Sequence, residues 1–183
     1  MARYLENQVA SGALTETFLL DTLTYHYLRS EDTAKQREYL RKAGQAAVNM
    51  SAFNTALDYL TRLMELTPAT DPARSAVTLL LATAQRGLGD YAAARDTARQ
   101  AESAAITAAD RAAALALLGN MTSESGDYAT AQAILAEAVA LARTSGDQLA
   151  LSRALYALGA QYWRLGKLAE VRAAMLESLE LAR

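Results

Sequence analysis

The chain of 183 residues is long enough for one domain with a buried core, and its 52% hydrophobic and 21% charged residues are typical of globular proteins. It has no cysteine and a single histidine, which excludes disulfide bonds, thiolate metal sites and histidine-rich metal clusters. The net charge of -2 provides no basic surface for nucleic acid, and no apolar run is long enough to span a bilayer. We therefore expect a cytoplasmic chain that needs no cofactor or metal and binds neither nucleic acid nor membranes.

The pattern along the chain predicts an all-α fold. Alanine is abundant, there are only 2 prolines, and no segment alternates in hydrophobicity with a period of two. After a short turn at 2–9, about nine helices are expected. Their predicted bounds are 12–29, 33–49, 53–66, 72–87, 91–104, 107–124, 128–143, 147–165 and 168–182.

A recurring element separates pairs of these helices. Gly89-Asp90-Tyr91 and Gly126-Asp127-Tyr128 share it, Gly166-Lys167-Leu168 is a weaker copy, and Ser51-Ala52-Phe53 is an earlier one. In this element glycine is expected to adopt the left-handed conformation that ends a helix, and aspartate to cap the next helix. The aromatic ring is predicted to fill the elbow between the two helices.

Small residues recur at fixed positions around each element. Seven residues before each one lies Gly44, Ala82, Gly119 or Gly159, and three residues after the tyrosine lies an alanine such as Ala131. Small side chains at mid-helix allow two helices to approach closely. We therefore predict a close helix crossing in each repeat, and longer joints at Asp71-Pro72, at 107–110 and at 144–147.

This pattern resembles the tetratricopeptide repeat (TPR), a helix-turn-helix unit with small residues in its first helix, an aromatic residue at the turn and alanine in its second helix. The aromatic residue that usually begins the first helix is replaced by Thr78, Leu115 and Leu155. The resemblance implies a right-handed superhelical solenoid of antiparallel helix pairs with a concave binding face. The expected arrangement is one domain over 1–183, with degraded helices at 1–35 and repeats at 36–70, 72–106, 110–145 and 147–183.

A second resemblance covers the N-terminal helices. The run from Tyr25 to Thr33, together with 39–47, is similar to the start of TPR regions that follow the ATPase module of large bacterial signalling proteins. Some of those proteins carry a nucleotide cyclase or DNA-binding domain. The resemblance implies a regulatory segment of a longer protein. Because no polar capping helix follows Leu181, we expect either a fragment or a homodimer formed through the uncapped C-terminal end.

The sequence lacks the usual catalytic and nucleotide-binding motifs. His26 is consistent with a helix-packing residue or with a catalytic group, and Arg37, Arg41 and Lys42 with a solvated face or an acidic-partner patch. We expect no enzyme activity, although a small hydrolytic or transferase site in the groove is the alternative.

The resemblance places the first helix of each repeat on the concave face. Asn120 follows Gly119, where peptide-binding members of the family often place an asparagine that bonds the ligand backbone. Solvent exposure alone is the other interpretation. Tyr156 and Trp163 lie on one helical face, as an interaction hot spot or as packing residues. The predicted binding residues are Arg41, Gln45, Asn49, Thr83, Arg86, Asn120, Ser123, Arg153, Tyr156 and Trp163.

The sequence thus predicts a non-catalytic scaffold that binds a protein or peptide in its groove. The alternative is a self-associating structural module with no separate ligand.

Overall fold

The computed structural model describes residues 4–7 and 15–182, and within them it contains helices, turns and no strand. A helical turn at 4–7 comes first; the rest of the predicted turn at 2–9 and the predicted helix start at 12–14 lie outside the described residues. The all-α prediction is confirmed. The longer helices are α1 (Glu16–Tyr27), α2 (Thr33–Asn49), α3 (Phe53–Leu66), α4 (Arg74–Gly87), α5 (Tyr91–Ser103), α6 (Ala108–Glu124), α7 (Tyr128–Ser145), α8 (Gln148–Arg164) and α9 (Leu168–Leu181).

The chain divides into two compact units, a first unit at Met1–Gly89 and a second unit at Asp90–Arg183. The boundary lies in the turn between α4 and α5, inside the predicted repeat 72–106. Each unit has its own buried helix contacts, and the described residues contain no helix with the length and apolar character needed to cross a membrane.

The core of the first unit lies between α2, α3 and α4. Leu40 of α2 packs with Leu60 and Leu63 of α3 and with Val77 of α4, and all four are buried. Gly44 lies at the predicted crossing of α2 and α3. A Cβ atom at this position would lie 2.8 Å from Leu60 Cδ2, which confirms the close approach.

A second cluster joins the helical turn at 4–7 to α1 and α2. The rings of Tyr27 and Tyr39 stack with their centroids 4.9 Å apart. The Glu6 carboxylate accepts hydrogen bonds from Tyr27 Oη at 2.5 Å, from Tyr39 Oη at 2.8 Å and from Lys35 Nζ at 2.8 Å. Three donors therefore converge on one carboxylate, and they attach the N-terminal turn to the first unit.

The second unit shows the same close helix crossings. A Cβ atom on Gly119 of α6 would lie 2.6 Å from Leu135 Cγ of α7, and one on Gly159 of α8 would lie 2.9 Å from Met175 Cε of α9. Ala131, at the predicted alanine position of α7, is fully buried. The predicted crossings are confirmed in this unit as well.

The turns follow the predicted chemistry. Gly89, Gly126 and Gly166 all have positive φ, and Ser51 has the same left-handed conformation at φ 58°. Ser51 is therefore the structural equivalent of the glycines, as the sequence predicted. The aspartates that follow two of these glycines cap the next helix. Asp90 accepts a hydrogen bond from Ala93 N, and Asp127 accepts one from Thr130 N, both at 3.1 Å.

The prediction that the aromatic ring fills the elbow is wrong for two of the three rings. Tyr91 and Tyr128 are about half exposed, because each ring stands at the first residue of its helix with solvent on one side. Phe53 differs, because its ring packs on Gly87: a Cβ atom on Gly87 would lie only 2.5 Å from Phe53 Cδ2. Gly87 thus makes room for the phenylalanine ring in the first unit.

Each predicted joint is held by a cap or an ion pair. Thr107 Oγ1 accepts from Asp110 N at 3.0 Å before α6, and Asp147 accepts from Ala150 N at 2.9 Å before α8. At the joint before α4, Asp71 pairs with the Arg37 guanidinium of α2 and accepts from Ala73 N at 2.8 Å. Side-chain bonds therefore fix where each following helix begins.

Candidate partner-binding site

The predicted residues of the first unit lie on α2 and α4. Arg41, Gln45 and Asn49 form an exposed row on α2, where Gln45 Nε2 donates to Asn49 Oδ1 at 3.0 Å. Thr83 and Arg86 of α4 are half-buried, and Thr83 Oγ1 donates to Leu79 O within its own helix at 2.8 Å. The α2 row is therefore open to a partner, whereas the Thr83 hydroxyl proton is already engaged.

A cavity of about 220 Å³ lies beside this row, with Arg37 and Arg41 on one wall and Leu63 and Val77 among its apolar residues. Its charges are largely paired. Arg37 is paired with Asp71. The hydrogen bonds from Lys42 and Lys35 hold the pKa of Glu38 below its usual value, because they stabilise the carboxylate. Within the described residues, Arg41 is the basic group of this lining that has no ion pair.

In the second unit, α8 carries a line of side chains that we call the α8 stripe: Leu149, Arg153, Tyr156 and Trp163, which are exposed, and Ala160, which is half-buried. Successive members are four and three residues apart, so the line stays on one face of the helix over about four turns. The side chains of Leu149, Tyr156 and Trp163 are 56%, 63% and 66% exposed. Exposed apolar side chains aligned on one helix face are candidates for an interaction surface.

Sequence reasoning identified Arg153, Tyr156 and Trp163 but missed Leu149. Leu149 lies four residues before Arg153 and continues the same spacing, and this spacing could have identified it from the sequence. The structure leaves the packing alternative for Tyr156 and Trp163 unsupported inside the second unit, because most of the surface of both residues is exposed.

Ser123 of α6 does not take the position that sequence analysis gave it. Its side chain is buried, it donates to Gln161 Oε1 of α8, and it accepts from Arg164 Nη1 at 2.7 Å. A hydroxyl enclosed by two neighbouring side chains is not presented to a partner. Its burial follows from its place where α6 meets α8.

Gln161 is a structural residue that sequence reasoning missed. It is buried, and its Nε2 donates to Tyr128 O at the start of α7 at 2.9 Å. Together, Ser123, Gln161 and Arg164 join α6, α7 and α8 through hydrogen bonds. This network fixes the end of α8 that carries Trp163. Asn120, one turn before Ser123 on α6, is half-buried.

His26 lies in an aromatic and cationic neighbourhood on α1. It meets the Tyr25 ring edge-on at 5.5 Å, and the Arg29 guanidinium lies 3.6 Å from the Tyr25 ring centroid. His26 is half-buried, and its ring contact with Tyr25 fits the packing interpretation. No group of three or more histidine, aspartate or glutamate side chains in the described residues is arranged to hold a metal ion.

No family model matches this sequence, and no curated protein is similar to it. Several solved structures share its fold. Aspartyl phosphate phosphatase F from Bacillus subtilis superposes with a TM-score of 0.75 at 17% identity, over 91% of this chain and 45% of the phosphatase. The chain therefore spans less than half the length of that protein.

Two further structures match over nearly their whole length. MamA has a TM-score of 0.62 at 18% identity, over 96% of this chain and 92% of MamA. The nearly identical TPR-like repeats of a Podosopora anserina protein named as a kinesin light chain have a TM-score of 0.62 at 14% identity, over 99% of this chain and 92% of that one. At these identities the likeness concerns the fold alone, and the fold of this chain is an all-α array of TPR-like helix pairs.

Proposed function

We propose that this chain is a non-catalytic scaffold that binds a protein or peptide partner through the α8 stripe. The observation that carries the proposal is the exposure of Leu149, Tyr156 and Trp163 on one line of one helix. Tryptophan and tyrosine are the residues most enriched in binding hot spots, because they bury a large area with few rotatable bonds. The TPR-like fold supports a scaffold role in general.

The chemistry of the stripe defines the partner. Two aromatic rings and a leucine select apolar side chains at matching spacing. Arg153 lies between Leu149 and Tyr156, is exposed, and has no ion pair in the described part of the chain. A carboxylate on the partner would pair with it and fix the register of binding. The partner we propose is therefore an apolar segment that carries an acidic residue near its middle.

The stripe rests on a rigid base, which favours binding with little loss of entropy. The hydrogen bonds of Ser123, Gln161 and Arg164 hold the C-terminal half of α8 against α6 and α7. On association, a preorganised helix loses less conformational entropy than a mobile loop does. The binding residues proposed for the first unit, Arg41, Gln45 and Asn49, form a separate exposed row and are not needed for the stripe.

The proposal is tested by selecting peptides from a displayed random library against the purified chain and measuring their affinity for variants. Trp163→Ala and Tyr156→Ala should each weaken the selected peptides by roughly tenfold or more, as expected for hot-spot aromatics. The matched control is Tyr25→Ala, which removes an exposed ring from the first unit. If the selected peptides bind Trp163→Ala and Tyr156→Ala as tightly as the unchanged chain, the stripe is not the binding surface.

We further propose that the chain serves as a regulatory segment of a bacterial cytoplasmic signalling protein. The support is the resemblance of residues 25–47 to the TPR regions that follow ATPase modules. Sequencing the reading frame on either side of the coding region tests this. An in-frame ATPase or cyclase motif agrees with the proposal, and flanking domains of another class contradict it.

Self-association is a second candidate function, and the exposed leucines of α9 favour it. It uses a different helix from partner binding on α8.

A further inference from the structure

The last helix of the second unit exposes an apolar row. Leu168, Leu176 and Leu179 of α9 are 64%, 49% and 52% exposed. They fall on one side of the helix, whereas Ala174 and Ser178 on the other side are buried and α9 packs on α8. Three half-exposed leucines on one helix face form an apolar surface without a covering element among the described residues of this unit.

Comparison with the preceding repeat indicates what kind of element fits this surface. Aligning Gly126 with Gly166 places Val139 of α7 at the position of Leu179 of α9. Val139 is 6% exposed, and α7 packs against both α6 and α8. The α7 equivalent of Leu179 is therefore covered by neighbouring helices inside the unit, whereas Ala136, at the position of Leu176, is exposed. An element that covers Leu179 in the same way as Val139 is covered is another helix.

The charges around the α9 row are complementary to themselves. Arg172 lies four residues before Leu176 and Glu180 lies four residues after it, and both are exposed. Neither forms an ion pair within the described residues. When two identical helices pack antiparallel about a two-fold axis, residues at equal distances before and after the axis face each other. An axis at Leu176 therefore brings Arg172 of each copy to Glu180 of the other.

The same axis places apolar groups together. Leu176 meets its own counterpart, and Leu179 meets Ala173, which is exposed and small enough to receive a leucine. The pairing thus has an apolar centre with an ion pair on each side, which is the usual arrangement of a protein interface. It also sets the direction of the helices, because a parallel pairing would place Arg172 against Arg172 and Glu180 against Glu180.

We propose that α9 is a homodimer interface, in which α9 of one copy packs antiparallel on α9 of a second copy about a two-fold axis at Leu176. Arg172 of each subunit pairs with Glu180 of the partner subunit. This gives a bivalent protein that presents two α8 stripes.

Sedimentation equilibrium over a wide concentration series tests the proposal on the chain of residues 1–183. The unchanged chain, of 19.6 kDa, should show a monomer–dimer equilibrium. Leu176→Glu should abolish the dimer. Arg172→Glu should weaken it by roughly tenfold, because two attractive pairs become repulsive. The double variant Arg172→Glu/Glu180→Arg should restore it, since the exchanged charges again face each other.

Two controls separate this interface from the stripe and from general charge effects. Leu149→Glu places the same charge on α8 as Leu176→Glu places on α9, and it should leave the dimer intact. Arg99→Glu reverses a charge on α5, away from α9, and should also leave the dimer intact. Helical circular dichroism should show that every variant is folded. The proposal is overturned if the unchanged chain stays monomeric throughout, if Leu176→Glu leaves association unchanged, or if the double variant associates no better than Arg172→Glu. The last two results would assign any self-association to a different surface.

Discussion

Ser123 of α6 donates its hydroxyl proton to Gln161 of α8, a residue thirty-eight positions later in the chain, and both side chains are buried. The bond connects corresponding helices of two successive repeats. A buried polar pair of this kind has one geometry in which all its groups are satisfied. It therefore specifies how far α8 is shifted along α6, which apolar contacts alone would leave less strictly defined.

Removing the Ser123 hydroxyl should destabilise the second unit. Ser123→Ala leaves Gln161 Oε1 buried without its donor and Arg164 Nη1 without its acceptor, at a cost of about 1–3 kcal/mol. Urea unfolding followed by the fluorescence of Trp163, the single tryptophan, reports on this unit. The matched control is Ser103→Ala at the exposed end of α5, which should change the free energy of unfolding by less than about 0.5 kcal/mol. Equal effects of the two substitutions would show that the network does not contribute.

Enlarging Gly119 should destabilise the crossing of α6 and α7. In Gly119→Ala the new methyl group would lie 2.6 Å from Leu135 Cγ, and Leu135 is fully buried and cannot move into solvent. The overpacking cost of about 1–3 kcal/mol exceeds the gain of roughly 1 kcal/mol from replacing a helical glycine.

Leucine at the same crossing tests the packing more severely. Gly119→Leu and Ala131→Leu should each lower the free energy of unfolding further than Gly119→Ala does. Ala133→Leu is the control, because Ala133 is exposed on the same helix as Ala131. If the melting temperatures of both buried variants equal that of the control, the crossing is not where the structure places it.

These crossings show how much of the fold the sequence predicts. Gly44, Gly119 and Gly159 are separated from their turn elements by a fixed number of residues, and local spacing alone locates them. The helix ends follow in the same way, since a cap such as Asp127 acts on an amide only three residues away.

The candidate site was predicted less completely, for a physical reason. Whether an inward-facing polar residue meets solvent or a neighbouring helix depends on side chains distant in sequence. Ser123 is enclosed by Gln161 and Arg164, which no local pattern indicates. Tyr91 and Tyr128 fit the sequence pattern of a buried elbow residue, yet each stands half-exposed at a helix start. Leu149 was missed although its spacing was available.

The Glu6 cluster should make the first unit sensitive to acid. Burial alone would raise the pKa of Glu6, but hydrogen bonds from Lys35, Tyr27 and Tyr39 outweigh it and hold the pKa below the usual 4.5. A carboxylate with a lowered pKa in the folded state contributes stability above its unfolded pKa. That contribution is lost as the pH falls through the folded value. Acid unfolding monitored by circular dichroism should therefore differ between the unchanged chain and Glu6→Gln, with the difference disappearing at low pH.

At alkaline pH the same cluster loses stability as the pH rises, whereas at acid pH it loses stability as the pH falls. Burial, followed by the hydrogen bond to Glu6, raises the pKa of Tyr27 from 10 to about 12. This contribution is fully present below pH 10 and is lost as the pH rises through about 12. NMR titration of ring-labelled tyrosines should show the pKa of Tyr27 falling in Glu6→Gln while staying above 10, because burial remains. An unchanged Tyr27 titration would show that Glu6 does not reach the ring hydroxyl in solution.

Gly126 should be sensitive to substitution through its backbone rather than its packing. Its φ is 90°, and no atom lies within 4 Å of the place where a Cβ would be. Gly126→Ala should therefore cost roughly 1–2 kcal/mol from conformation alone, and Gly126→Asn less, because asparagine tolerates the left-handed region. Ser51 provides the inverse test, since it has the same conformation with φ 58°. Ser51→Gly should raise the free energy of unfolding by several tenths of a kcal/mol, up to about 1. Urea unfolding of all three variants checks the set, and a Gly126→Asn variant less stable than Gly126→Ala would contradict the backbone explanation.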